Sequence, residues 1–287
     1  MPTLRHAPAG TLLEARVATT LAAVTALCCL HAQPAQAQTM EQQALEQGEV
    51  GGETASDRWT FALGTGPASV PDYPGARDDR IRPVPFISAR YSGATHFFVG
   101  PLGLGFSPIN LRGFHAGPIL GLMPNRKQSD DPHLAGLGDI PDSVTAGAFA
   151  LFSVGPVTVT TAVEQAITHK GNGFIGLGQI TYHVAIAALE LFLGPELEFG
   201  NADHQRTWFG VTPAQSVSSG LSAFTPGAGV VDAGMHAGLN YSYSQHVFLR
   251  AFADVKWLTG ETANSPIVER RTQAIVGVGI AYRFGIP

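Results

Sequence analysis

Residues 272–284 read TQAIVGVGIAYRF, and this stretch decides the fold. Side chains of an extended chain alternate between two faces, so Ala274, Val276, Val278, Ile280, Tyr282 and Phe284 share one side, while Gln273, Gly277, Gly279, Ala281 and Arg283 share the other. One face is hydrocarbon and the other is small or polar. The pattern recurs upstream. In 231–242, Val231, Ala233, Met235, Ala237, Leu239 and Tyr241 oppose Asp232, Gly234, His236, Gly238, Asn240 and Ser242; in 247–257 the polar side carries Arg250, Asp254 and Lys256. Such runs are longer than the usual strand of about 5–6 residues and close to the roughly 9–11 that cross a bilayer at a tilt.

Composition agrees. The 287 residues include 34 Gly and 20 Pro, with 14% charged, against averages of about 7% Gly and about 25% charged in soluble domains. The apolar fraction of 45% and net charge of −5 exclude a disordered chain, and no basic excess marks a nucleic-acid partner. No stretch after residue 37 has the roughly 18–20 unbroken apolar residues of a membrane helix. A soluble β-sandwich would carry more charge on its polar faces and loops of more even length. The expectation is an all-β transmembrane antiparallel β-barrel of the outer membrane.

Residues 1–37 read as a secretory leader: Arg5 and Arg16, an apolar run from Val17 to Leu30, then small residues at Ala35 and Ala37. Both cysteines, Cys28 and Cys29, lie within it, and Leu27 before them is not the small residue that a lipoprotein signal needs. No disulfide framework follows. Residues 38–57 form an acidic, polar segment expected to be flexible in the periplasm, and 58–287 form the barrel. The outer membrane of a Gram-negative cell envelope is the expected location, with membrane lipid around the barrel.

Short and long connections should alternate in an outer-membrane barrel. Tight ones fall at 92–94, 155–156, near Ala187 and at 244–245; long ones at 72–82, 123–142, 168–172, 200–229 and 259–271. Alternation is strict if His96 to Phe106 is split near Pro101. That gives twelve strands, with ten as the alternative.

No residue pattern points to catalysis or to a cofactor. The eight histidines after the leader, His96, His115, His133, His169, His183, His204, His236 and His246, lack the close pairing of a zinc site. His169-Lys170-Gly171-Asn172-Gly173 resembles the H-x-S-N-G start of a barrel phospholipase site, but no serine follows between Phe174 and Ala188. Asp130, Asp131, His133 and Asp139 form an acidic loop group that reads as solvated surface rather than a calcium site. Alternation places Glu164, Glu190, Glu196, Glu198, Asp232 and Asp254 inside, against Arg90, Arg250, Lys256 and Arg283. Near balance suits a lumen closed by salt bridges better than an ion-selective channel. The candidate lumen cluster is therefore Glu164, His183, Asp232, His236, Arg250, Asp254, Lys256 and Arg283; His183 and His236 could meet Glu164 or Asp232, but hydrogen bonding within the lumen explains them better. Tyr282 and Phe284 form the candidate barrel-assembly signal, with residues 285–287 as a short tail.

Several segments together resemble the MipA/OmpV family of outer-membrane proteins. They are Tyr73-Pro74-Gly75-Ala76 and Arg82-Pro83-Val84-Pro85-Phe86-Ile87; Leu134-Ala135-Gly136-Leu137-Gly138-Asp139-Ile140; His169-Lys170-Gly171; Trp208-Phe209-Gly210-Val211-Thr212 with Ser219-Gly220-Leu221 and Pro226-Gly227; Leu258-Thr259-Gly260-Glu261 with Ser265-Pro266-Ile267-Val268; and Gly279-Ile280-Ala281-Tyr282-Arg283-Phe284. The resemblance implies a non-enzymatic barrel without cofactor or metal. It also implies a scaffold role, linking a lytic transglycosylase to a bifunctional peptidoglycan synthase. A channel permeable to small solutes or antibiotics is the alternative, and a barrel hydrolase a distant third.

Overall fold

The computed structural model describes residues 58–92, 96–100 and 103–286. The expected leader, the acidic segment and Pro287 lie outside these residues. The chain runs β1 (Arg58–Pro71), β2 (Asp79–Ser92), β3 (His96–Gly100), β4 (Gly103–Ser107), β5 (Ile109–Leu111), β6 (Phe114–Met123), β7 (Ser143–Val154), β8 (Val157–Ala166), β9 (Phe174–Ile186) and β10 (Leu189–Gly200). Two short helices follow, α1 (Ala202–Phe209) and α2 (Pro213–Ser219), then β11 (Gly229–Ser242), β12 (Val247–Leu258) and β13 (Thr272–Ile286). Neighbours pair antiparallel, and β1 pairs with β13 through registers such as Phe61 with Phe284. Pro108 interrupts one bent strand, so β4 and β5 together face β6. Thirteen segments thus make twelve staves of a closed barrel, with the break between β3 and β4 where Pro101 placed it.

The faces follow the period-two reading. On β10 the outward residues are Leu189, Leu191, Leu193, Pro195, Leu197 and Phe199, while Glu196 and Glu198 are buried inside. Large outward side chains such as Leu63, Ile180, Met235, Leu249 and Val278 are exposed. In water such a band would be costly, and a closed barrel in hydrocarbon satisfies every backbone group without an edge. Trp59 packs on Tyr91 (5.2 Å) and Phe61 on Phe284 (5.3 Å) near the tight-turn end, as interfacial girdles do.

Two local details correct the reading from sequence. β2 starts at Asp79, so the first long loop is shorter than 72–82, and β13 runs through Gly285 to Ile286, which pairs with Trp59, instead of ending in a tail after Phe284. Val231 is buried although its parity points outward, because a β-bulge opposite Glu198 and Phe199 shifts the register there.

Three Gly-Pro dipeptides sit in mid-strand: Gly66-Pro67 on β1, Gly117-Pro118 on β6 and Gly194-Pro195 on β10. At each, the ladder to the preceding stave lapses while the other ladder continues. A Cβ on the glycine would lie 1.8 Å from Val278 O, 1.9 Å from Phe106 O and 1.7 Å from Ile180 O, respectively. Only glycine permits so close an approach, and proline forgoes the donor that the lapsed ladder no longer needs. These strands are the first, fifth and ninth of the twelve staves. Evenly spaced kinks of this kind supply the curvature that closes a sheet on itself.

The long loops fold together over one end of the barrel. Tyr73, Ala76, Leu134, Leu137, Val211 and Ile267, from four loops, form one buried cluster; Met123, Ile140, Ile175, Trp208, Phe209 and Val231 form a second beneath it at the strand ends. Helices α1 and α2 lie in the 200–229 connection, which alternation alone treats as loop. Their signals are local. Asn201 caps α1, Thr212 and Gln215 make a capping box for α2, and Gly220 closes α2 in the left-handed region.

Candidate functional site

Inside the barrel, polar groups gather on the wall made by β8 to β12, and aromatic groups fill the rest. Glu196, Gly234 and Lys256 occupy one row across β10, β11 and β12, and Lys256 Nζ reaches Glu196 Oε1 at 3.1 Å over the bare glycine. Asp232 Oδ1 is 3.9 Å from the same ammonium, and Glu198 pairs in register with Asp232. Asp254 stands beside His236 in the adjoining row. All five side chains are buried, so several carboxylates share one cation.

His236 is held by groups that charge counting from sequence passed over. Gln179 Nε2 donates to His236 Nδ1 (2.8 Å), leaving Nε2–H to donate to Thr181 Oγ1 (3.0 Å). Glu196 Oε2 lies 3.8 Å from His236 Nδ1, and Glu190 Oε1 lies 3.5 Å from His183 Nδ1. Asn240 Nδ2 also donates to Glu190 (3.1 Å), and Glu164 accepts a hydrogen bond from Thr145 Oγ1. The missed partners Gln179, Thr181, Asn240 and Thr145 all have inward parity, which was the signal that could have found them.

Two further cations of the inward set, Arg250 and Arg283, lie on aromatic rings. The Arg250 guanidinium sits 5.9 Å from the Phe86 centroid and 5.8 Å from that of Phe192, and Arg283 sits 5.1 Å from that of Phe248. Tyr282 faces outward and stacks on His246 at 5.5 Å. Phe86, Phe98, Phe149, Phe192 and Phe252 are buried in the lumen. The ring of Phe98 covers Gly105, that of Phe192 covers Gly238 and that of Phe252 covers Gly277, so inward glycines provide the room that these rings fill.

The cap has its own polar core. Tyr73 donates to Ile267 O (3.0 Å) and Glu269 Oε2 (3.2 Å), and burial pushes its phenol well above the usual range. Buried Arg126 donates to Trp208 O (2.6 Å), and burial lowers its guanidinium to about 10. His204 on α1 donates Nδ1–H to Asn172 O (3.1 Å) and packs on Trp208; burial holds it down at about 4.

The loop motifs weighed for chemistry are built into this cap. His169 Nδ1 donates to Asp142 O (2.6 Å), and the Ser143 hydroxyl meets the His169 backbone N–H, not its ring. Asp130, Asp131 and Asp139 accept from the backbone N–H groups of Lys127, His133 and Gln128, while His133 Nε2 donates to Pro266 O. Among the described residues no group of three or more His, Cys, Asp or Glu side chains is placed to hold a metal.

The motifs quoted for the family resemblance supply most of the cap core, with Tyr73, Leu134, Leu137, Trp208, Phe209, Val211 and Ile267 among them. A family model described as MltA-interacting protein MipA matches residues 63–284. The chain belongs to the MipA family. Among solved structures, this MipA-family barrel is similar to Neisserial surface protein A (11% identity, 81% of this chain and 100% of that chain, TM-score 0.26). It is also similar to the translocator domain of the autotransporter NalP from Neisseria meningitidis (10%, 84% and 93%, TM-score 0.36), and to OmpT of Vibrio cholerae (10%, 80% and 99%, TM-score 0.35). Sequence identity and overlap are too low for these likenesses to bear on function. No functionally curated protein matches the chain.

Proposed function

We propose that this MipA-family chain is a non-enzymatic outer-membrane barrel that serves as a periplasmic scaffold for peptidoglycan-remodelling enzymes, with a lytic transglycosylase as the first partner. The observation that carries this reading is the filled interior: aromatic rings and paired charges occupy the lumen, and the folded loops close one end. A wall built this way favours a structural or docking task over passage of solutes. Both ends of the barrel chain, β1 at Arg58 and β13 at Ile286, emerge at the tight-turn end, so segment 38–57 joins the barrel there. Barrel topology puts tight turns on the periplasmic side, where such enzymes work. The family's description as MltA-interacting supports the partner class.

Pull-down of a periplasmic lytic transglycosylase by the full chain, and by a chain lacking residues 38–57, tests the reading. Retention by the full chain is expected, reduced by the deletion; no retention by either removes the scaffold. The competing channel reading rests on the polar wall of β8 to β12. It predicts stable conductance in planar bilayers that changes in Asp232→Asn or Arg250→Gln variants.

A further inference from the structure

The charges inside the barrel are sorted along its axis. Toward the cap the wall carries Glu164, Glu196, Glu198, Asp232 and Asp254 with Lys256, all buried. At the tight-turn end the sign reverses. Arg90 on β2, Arg250 on β12 and Arg283 on β13 have inward parity within a few residues of the turns, and Arg112 stands at the rim in the turn between β5 and β6. Among the described residues Glu190 is the one carboxylate at this end, in a row with Asn240 and Arg250 across β10, β11 and β12. Arg112 is exposed and Arg90 and Arg283 are partly so, whereas Arg250, further in, is buried. The tight-turn mouth is therefore a water-facing site with a surplus of positive charge, and its low-dielectric walls strengthen that field.

The chain that arrives at this mouth has the opposite sign. β1 begins at Arg58, in register with Ser92 at the end of β2. Residues 38–57 lead into it with five carboxylates, Glu41, Glu46, Glu49, Glu53 and Asp57, and no Lys, Arg or His. Connectivity limits how far these acids stray. Glu53 is five residues from Arg58, so at most about 17 Å of extended chain separates it from the start of β1. A short tether of this kind holds opposite charges together at an effective concentration on the order of millimolar, which a free anion would have to exceed to take their place.

We propose that residues 38–57 dock in the tight-turn mouth of their own barrel, with their carboxylates against Arg90, Arg112 and Arg283. This goes beyond the scaffold reading, and its test contains no partner protein, so either can fail alone. Ser153 on the inward face of β7 is partly exposed, and its N–H donates to Gly113 O (2.7 Å), next to Arg112. Both cysteines of the sequence lie before residue 38. In the full chain carrying Cys28→Ser and Cys29→Ser, Ser153→Cys therefore places a single thiol at the mouth. Detergent micelles leave both ends of the barrel open to a water-soluble maleimide. Three chains are compared: this one, one lacking residues 38–57, and one with Glu41→Gln, Glu46→Gln, Glu49→Gln, Glu53→Gln and Asp57→Asn. None of these changes touches the barrel beyond position 153. Reaction is expected to be roughly tenfold slower in the first chain than in the other two, as for a segment docked about nine-tenths of the time. High salt should remove the difference. Equal rates in all three chains would overturn the proposal, and so would slow reaction that survives replacement of the five acids.

Discussion

Lys256 and Glu196 make their 3.1 Å ion pair from strands that are not neighbours, reaching across Gly234 on the strand between them. A Cβ at Gly234 would lie 2.9 Å from Val255 O, 3.0 Å from Lys256 Cγ and 3.1 Å from Glu196 Oε1. The pair and the bare glycine are therefore one device. Gly234→Val is expected to lower stability by about 1–3 kcal/mol through overpacking, read as an earlier urea midpoint in vesicles. Ala233→Val, one residue away and facing lipid, should leave the midpoint unchanged.

Removing the cation from that row is more damaging than removing the pair. Lys256→Met leaves buried Glu196 and Asp232 without their common partner, and a loss of about 3–5 kcal/mol is expected. Adding Glu196→Gln should restore part of it. A double-mutant cycle on unfolding midpoints checks this; strictly additive losses would deny the coupling.

Curvature depends on the three Gly-Pro kinks. In Gly194→Val the new Cβ would meet Ile180 O at 1.7 Å, a backbone atom that cannot swing away. The variant is expected to lose the compact, heat-modifiable band of a folded barrel in gel electrophoresis. Leu193→Val, on the lipid face of the same strand, should keep it.

Acid should loosen the cap before the barrel. His204 is held at about 4 by burial, below its ordinary 6.5, so the unfolded cap binds a proton in this window that the folded cap does not. The contribution is complete above pH 6.5 and is lost as pH falls toward 4, by on the order of 3 kcal/mol. Trp208 fluorescence and protease cleavage of the 124–142 loop should both change across that interval. His204→Phe, which keeps the stacking, should flatten the pH dependence.

The cap core can be emptied independently of the wall. Ile267→Ala removes a fully buried side chain from the loop cluster, at an expected cost of about 2–5 kcal/mol to the cap. Faster proteolysis of the 124–142 and 201–228 loops is expected, with heat-modifiability of the barrel retained. Collapse of both together would mean that cap and wall fold as one unit.

Much of the wall was legible because its rule is local. Alternation assigned Arg250, Asp254, Lys256, Asp232 and His236 to the inside from their own neighbours in sequence, and Pro101 marked the break that makes twelve staves. The helices α1 and α2 were missed because their segments are too short to show a period, although Thr212, Gln215 and Gly220 spelled out their ends. For His236 the reading of lumen hydrogen bonding left Gln179 and Thr181 unnamed, since parity says where a side chain points and nothing of what stands opposite.

What the sequence determined by itself is the side to which each strand residue turns, the two kinds of connection, and membership of a β-barrel class built for hydrocarbon. These follow from a period of two and from glycine and proline, which act on their own backbone. Only the tertiary structure decided that Glu196 meets Lys256 over Gly234 and that loops separated by well over a hundred residues share the core of Tyr73 and Ile267. Those relations depend on strand stagger and closure, which are properties of the whole sheet, and no window of sequence contains them.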